Sequence, residues 1–303
     1  MNELINLHPE VASALGAGAP VVALESTVIA HGLPHPLNYE TAVNMQLAVR
    51  ESGAVPATIA ILQGNIHVGL TGEQLRYLAT RPQTEVRKCS RRDLAIACAN
   101  GEDGATTVAG TMILAHLAGI EVFATGGIGG VHRQPVYDIS ADLFELGRTP
   151  VAVVCSGVKS ILDLPRTLEM LESLGVSVLG YQTEEMPAFF STESGLPVDK
   201  RVDSAAEAAS IIHEHNNLDL RSGLLITVRV PKSDAYDSEE IELAIKRATE
   251  EAATAGIHGS ESTPWLLNRI KELTDGKSVQ SNLALLINNA RVAGAVAAKL
   301  AAL

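Results

Sequence analysis

Two ionisable residues in this chain sit where a buried reaction would need them. Lys159 lies in VVCSGVKS, just behind an apolar run, where loss of hydration lowers an amine's pKa and frees it to attack a sugar carbonyl. Glu25 lies in VVALESTVIAHGLPHP between Leu24 and Ser26, where desolvation raises a carboxyl group toward neutrality and makes it a proton donor. The ordinary alternatives are a lysine whose stem crosses apolar surface while its ammonium stays wet, and a salt-bridged or exposed carboxylate.

The loop Thr125-Gly126-Gly127-Ile128-Gly129-Gly130 offers backbone N–H groups to a phosphate, because glycine tolerates positive φ and has no Cβ in the way. A flexible turn is the alternative. The loop fits no GxGxxG register, since the third glycine would fall on His132, which argues against a nicotinamide oxidoreductase. Asp138 and Asp142 in DISADL are four apart. On a helix their carboxylates share one face and can hold a hard cation or its water shell, against the simpler reading of a helix N-terminal cap. Lys88, in VRKCSRRD, completes a set drawn from five strand or loop ends. His213 and His215 are two apart, point in different directions on a helix, and read as surface residues.

The elements that position these residues follow from periodicity. Short β-rich runs at 21–24, 57–62, 122–124, 151–154, 176–181 and 223–230 read as buried strands. Helical patterns lie between them, such as Tyr39 to Ser52 before Gly53, Thr107 to Leu117 before Gly119, and Leu164 to Leu174 before Gly175. The helix-glycine-strand order predicts an α/β fold, a three-layer α/β/α arrangement with a mostly parallel central sheet. Ligands collect at the carboxyl ends of such strands, where the chemically unusual residues fall. Beyond residue 200 the chain turns helix-rich, with Ala205 to His215, Glu239 to Ala255, Pro264 to Leu273 and an alanine-rich helix from about Val279. The segment PKSDAYDSEE at 231–240 reads as a solvated loop.

At 303 residues and 46% hydrophobic, the chain can bury roughly three quarters of its unfolded surface, so residues 1–303 are expected to form one globular domain. A net charge of −12 opposes the counterion-release term that drives nucleic acid binding and favours a small substrate. Cys89, Cys98 and Cys155 form no CxxC pair and suit reduced thiols better than disulfides or zinc. MNELINLHPE lacks the apolar core of a secretion signal, and Asn288, Asn289, Arg291 and Lys299 interrupt the last helix as a membrane span. A cytoplasmic protein with no membrane partner is expected.

Taken together, ALESTVIAHGLPHP, PATIAILQGNIHVGLT, KCSRRDLA, GATTVAGTM, TGGIGGVHR, DISADL, CSGVKSILD, TPWLL and SNLALLINNARVA resemble the pseudouridine-5′-phosphate glycosidase family, from about residue 20 to the C-terminus. The resemblance implies cleavage of the C–C glycosidic bond of pseudouridine 5′-phosphate to uracil and ribose 5-phosphate, with Mn²⁺ bound, or Mg²⁺ or another divalent ion in its place. It implies Lys159 as nucleophile, Glu25 as proton donor and Asp138 as metal ligand. Lys88, Thr125 and Asn282 are implied at the phosphate end, Val108, Ser140, Ala141 and Asp142 as further substrate contacts, and His132 near the base. A homotrimer is also implied. The apolar stripe Leu283, Leu286, Ile287 and Ala290 of the last helix would serve either that assembly or the core.

A bond to C5 of uracil has no leaving heteroatom, so acid-assisted departure as in ordinary glycosides is insufficient. Attack of Lys159 on C1′, with protonation of the ring oxygen by Glu25, leads to an open-chain imine as uracil leaves. Two other readings use the same residues: a Schiff-base aldolase acting on another sugar phosphate, and a non-catalytic sugar-phosphate sensor.

Overall fold

A computed structural model describes residues 5–133, 138–257 and 262–303 of the chain. Residues 1–4 of the N-terminal segment and the side chains of Thr263 and Pro264 in TPWLL lie outside that description.

The first half runs β1 (Ile5–Leu7), α1 (Pro9–Gly16), β2 (Val21–Leu24), α2 (Leu37–Glu51), β3 (Val55–Leu62), β4 (Asn65–Val68), α3 (Gly72–Thr80), β5 (Val86–Cys89), α4 (Arg91–Asn100), β6 (Asp103–Thr106), α5 (Val108–Ala118), β7 (Val122–Ala124) and β8 (Val131–His132). The second runs α6 (Ala141–Leu146), β9 (Ala152–Cys155), β10 (Leu162–Asp163), α7 (Leu164–Ser173), β11 (Ser177–Tyr181), β12 (Lys200–Val202), α8 (Ala205–Asn217), β13 (Leu224–Val228), α9 (Ser238–Thr254), α10 (Ser262–Leu273) and α11 (Lys277–Leu300).

The main sheet is ordered β1-β4-β3-β2-β7-β9-β13-β11-β12 among the described residues. From β3 through β12 every neighbouring pair is parallel. Every residue of β2, β7, β9 and β13 is buried, which is what continuous VVAL, VFA, AVVC and LLITV runs require when helices cover both faces. On one face α11 packs between α2 and α8 and lies across β7, β9 and β2; α5 packs on β2, β3 and β7 and carries α6 beside it. The glycines expected to end helices do so: Gly53, Gly119 and Gly175 take φ of +87°, +83° and +69°, in the left-handed region that glycine enters without a Cβ clash.

Three expectations are corrected. The strand pattern missed β4, β5 and β6, a partly antiparallel branch on β3, because NIHV, VRKC and DGAT carry too many polar residues for a buried-strand reading. His215 is buried, with Nε2 3.3 Å from Ser222 Oγ, because the chain after α8 folds back over it. The segment from 231 is not purely solvated: Ala235 and Tyr236 pack on the core, the Tyr236 N–H donates to Phe190 O at 2.8 Å, and α9 already begins at Ser238. In α11, Leu286 and Ala290 belong to the core while Leu283 and Ile287 are half-buried. That helix is long and apolar enough to cross a membrane, and packs as the central helix of one layer.

Candidate active site

Parallel pairing assembles the site. Leu24 is in register with Ala124, and Ala124 with Val154, so the residues after β2, β7 and β9 emerge side by side at one sheet edge. Glu25 and Thr125 are therefore neighbours, and the Thr125 hydroxyl donates to Glu25 Oε1. Beyond β9 the chain turns along the glycine loop. The Ile128 N–H donates to Gly157 O at 3.0 Å and the Lys159 N–H to Ile128 O at 3.1 Å, which brings Lys159 to the same edge. Arg133 holds the far side of this turn, donating to Ser160 O at 3.1 Å and Leu162 O at 3.3 Å.

These residues open into a cleft of about 1320 Å³. Glu25, Lys88, Val108, His132, Asp138, Ser140, Ala141, Asp142, Lys159 and Asn282 all line it. Thr125 does not: it is fully buried behind Glu25, with its hydroxyl committed to that carboxyl group rather than turned toward a phosphate.

Burial is the dominant influence on Glu25, which is only 7% exposed, and it lifts the carboxyl group above its ordinary pKa. Lys159 and Lys88 and the Thr125 hydrogen bond pull the other way, and Asp142 adds to the rise. Lys88 stands in β5, opposite Ala105 of β6. Burial lowers its pKa first and repulsion from Lys159 second, opposed by Asp142 and Glu25. Each of the four charges thus acts on a neighbour within one electrostatic cluster. His132 Nε2 lies 3.9 Å from Asp138 Oδ2, and the His132 N–H donates to Asp138 O at 2.9 Å. Burial lowers the histidine's pKa, against the attraction of Asp138.

The two aspartates do not share a helix face. Asp138 lies in the extended segment before α6, Ser140 is the N-cap, and Asp142 is the second helical residue. Asp142 is 6% exposed and uses both oxygens, accepting from Ala109 N at 3.0 Å and Gly129 N at 2.9 Å. Its carboxylate ties the first turn of α5 to the glycine loop, the capping alternative rather than cation binding. Asp138 keeps a partly exposed carboxylate toward the cleft and is the one of the pair able to take a metal ion.

The glycine loop also differs from expectation. None of Gly126, Gly127, Gly129 and Gly130 has a positive φ. A Cβ on Gly129 would meet Ser140 Oγ at 2.1 Å, one on Gly127 would meet the Phe189 ring at 2.6 Å, and one on Gly130 Thr167 Oγ1 at 2.4 Å. The glycines are required by close packing of neighbouring chain, not by turn conformation.

No cluster of three or more His, Cys, Asp or Glu side chains suited to a metal ion occurs among the described residues. A single carboxylate with cleft space around it fits a hard cation that keeps most of its waters, such as Mn²⁺ or Mg²⁺, and not zinc.

Residue-type reasoning missed Asn289, Ser156 and the ring of Phe189. Asn289 is fully buried in α11, seven residues after Asn282 and thus on the same helix face. An asparagine inside an apolar stripe was the available signal.

Comparison with known proteins identifies relatives over the full length of the chain. Residues 10–299 match the family model described as indigoidine synthase A like protein. The chain is 55% identical over 302 residues to a pseudouridine-5′-phosphate glycosidase of Herpetosiphon aurantiacus, covering 99% of each. It is 54% identical to the pseudouridine-5′-phosphate glycosidase of Caldanaerobacter subterraneus subsp. tengcongensis, covering 99% of this chain and 98% of that one. Among solved structures, the prealnumycin C-glycosynthase AlnA in complex with ribulose 5-phosphate superimposes with a TM-score of 0.92 at 40% identity, covering 100% of this chain and 98% of that one. An indigoidine synthase A-like protein of Thermotoga maritima gives 0.89 at 36% identity, covering 98% and 96%.

Proposed function

This chain belongs to the pseudouridine-5′-phosphate glycosidase family, and on that footing we propose that it cleaves the C–C glycosidic bond of pseudouridine 5′-phosphate to uracil and ribose 5-phosphate through an imine on Lys159. The observation that carries the reading is the meeting of Lys159 and Glu25 at one edge of the parallel sheet, beyond the ends of β9 and β2 on either side of β7, inside one cleft with Lys88 and Asp138.

The residues divide the work as follows. Glu25, whose pKa burial raises, donates its proton to the ribose ring oxygen as that oxygen leaves C1′ and the Lys159 amine bonds to C1′. The ring opens, and the nitrogen, after losing a proton, holds a lone pair beside the bond to be broken. That pair forms the C1′=N bond while the electrons of the C1′–C5 bond pass to uracil, which takes a proton at C5. Water then hydrolyses the imine, freeing ribose 5-phosphate and the amine. The sum is one water consumed per bond cleaved.

Lys88 and Asn282 suit the phosphate end, and Val108 lies in the first turn of α5, where helix N–H groups and the helix dipole favour negative charge. Ser140, Ala141 and Asp142 form the wall opposite, and His132 stands nearer the base. Thr125 is assigned to holding Glu25. Asp138 would hold Mn²⁺ or Mg²⁺, which when bound supplies charge and ordered waters to the carbonyl oxygens of the base. A cytoplasmic homotrimer is part of the same proposal.

The test is direct. Purified protein with Mn²⁺ should release uracil from pseudouridine 5′-phosphate, and should build the nucleotide from uracil and ribose 5-phosphate. Release of an aldol fragment from another sugar phosphate, without uracil chemistry, would favour the aldolase reading. Binding without turnover would favour a sensor. The likeness to a C-glycosynthase complexed with a pentulose phosphate supports C–C chemistry on a pentose phosphate over a sensor.

A further inference from the structure

Asn289 is an amide side chain in a stretch of α11 otherwise buried as Leu285, Leu286, Ala290 and Ala293. Burying an amide is unfavourable unless every polar atom finds a partner, and an apolar residue would avoid that cost. Its partners are therefore informative. Asn289 Nδ2 donates to Thr125 O at 2.8 Å and to Gly126 O at 3.3 Å, and its Oδ1 accepts from Ser156 Oγ at 3.2 Å. The Ser156 N–H in turn donates to Gly126 O at 2.8 Å. All these groups lie immediately after β7 and β9, the two strands whose ends lead to Thr125 and to Lys159.

The clamp sits one residue from a catalytic contact. Thr125 is held by its backbone, its N–H donating to Val154 O at 3.0 Å and its carbonyl accepting from Asn289, and its hydroxyl is thereby aimed at Glu25. Asn282, Leu286 and Asn289 fall on one face of α11 at spacings of four and three, and the first two line the cleft. One helix face thus touches the substrate space and, a turn further on, the support of Glu25.

We propose that Asn289 is a positioning residue for Glu25, acting through Thr125, an inference that rests on Glu25 being the proton donor of the reaction above. The role differs from general core packing because it predicts that Asn289 and Thr125 act on Glu25 as one unit.

The experiment follows the Glu25 carboxyl group by difference infrared titration, with its band assigned by loss in Glu25→Gln. Thr125→Val removes a hydrogen bond to the ionised form and should move the titration to higher pH. Thr125→Ser should restore it. Asn289→Ala should shift it in the same direction, and the double variant should move no further than Thr125→Val alone. In turnover, each single variant and the double should lose kcat by about tenfold, with KM changed less than about twofold, because residues in one chain of contacts are not additive. An unchanged titration in Asn289→Ala, or additive losses in the double variant, would overturn the proposal. If Asn289→Ala does not fold, Ser156→Ala carries the test: it frees the amide to turn and should give a smaller shift of the same sign, and no shift in that folded variant rejects the inference. The titration needs no turnover, so a wild type that releases no uracil refutes the reaction while the infrared result still decides whether Asn289 acts on Glu25.

Discussion

Asp142 accepts the Gly129 N–H at 2.9 Å, thirteen residues back along the chain, and with its other oxygen holds the start of α5. The glycine loop is thus shaped by a carboxylate as well as by its own sequence, and Gly129 has space for neither a side chain nor a different neighbour.

Asp142→Asn keeps the shape but leaves one of two buried N–H groups facing an amide hydrogen. It should cost about 1–3 kcal/mol of stability and lower activity with it. Gly129→Ala, forcing a methyl against Ser140, should cost a similar amount or more. Urea unfolding with unchanged slope and a lowered midpoint is the check for both; midpoints equal to wild type would show that the loop does not depend on this contact.

Lys159→Ala should reduce kcat by more than about a thousandfold while the fold stays intact, since the covalent bond to C1′ is assigned to that amine. Borohydride reduction in the presence of ribose 5-phosphate should add the reduced pentose phosphate at Lys159, located by peptide mass spectrometry. An adduct on Lys88 instead would exchange the roles of the two lysines.

Glu25 gives a pH prediction whose sign is fixed by burial. Its folded-state pKa lies above the ordinary carboxyl value, so its contribution to stability is fully present below about pH 4 and is lost as pH rises through the folded value. Glu25→Gln is neutral at every pH and escapes that loss. The melting temperature of the variant minus that of wild type should therefore grow as pH rises above about 4, even as activity disappears. A difference that shrinks with pH would mean that the two lysines, not burial, govern this carboxyl group.

Asp138→Ala should abolish binding of Mn²⁺ without unfolding the protein, because Asp142 is already committed to backbone N–H groups. Calorimetric titration with Mn²⁺ alone reads this directly. Chelation of the wild type should lower uracil release, restored by adding Mn²⁺ back. Equal Mn²⁺ binding by wild type and Asp138→Ala would move the ion elsewhere.

Much of this architecture was legible from local pattern. Continuous apolar runs marked the central parallel strands, and glycines marked the helix ends. Lys159 and Glu25 stood out because an ionisable residue at or soon after the end of a buried strand is unusual, and of the eleven candidate residues that motif resemblance named, ten line the cleft. The polar strands β5 and β6 escaped because their side chains answer to the site rather than to sheet periodicity, and so periodicity did not reveal the strand that carries Lys88.

What the amino-acid order determined by itself was whatever depends on near neighbours: the strands and helices, the glycine stops, and the chemical types able to react. Tertiary structure alone decided which of those types meet. Thr125 and Glu25 are one hundred residues apart, and their contact exists because β2 and β7 pair in one register. Asn289 and Thr125 are separated by 164 residues, and Asp142 was turned from a possible metal ligand into a loop support by N–H groups of two other segments. Hydrogen bonds act over about 3 Å whatever the sequence separation, so a polar residue's role is set by the partners that folding delivers to it.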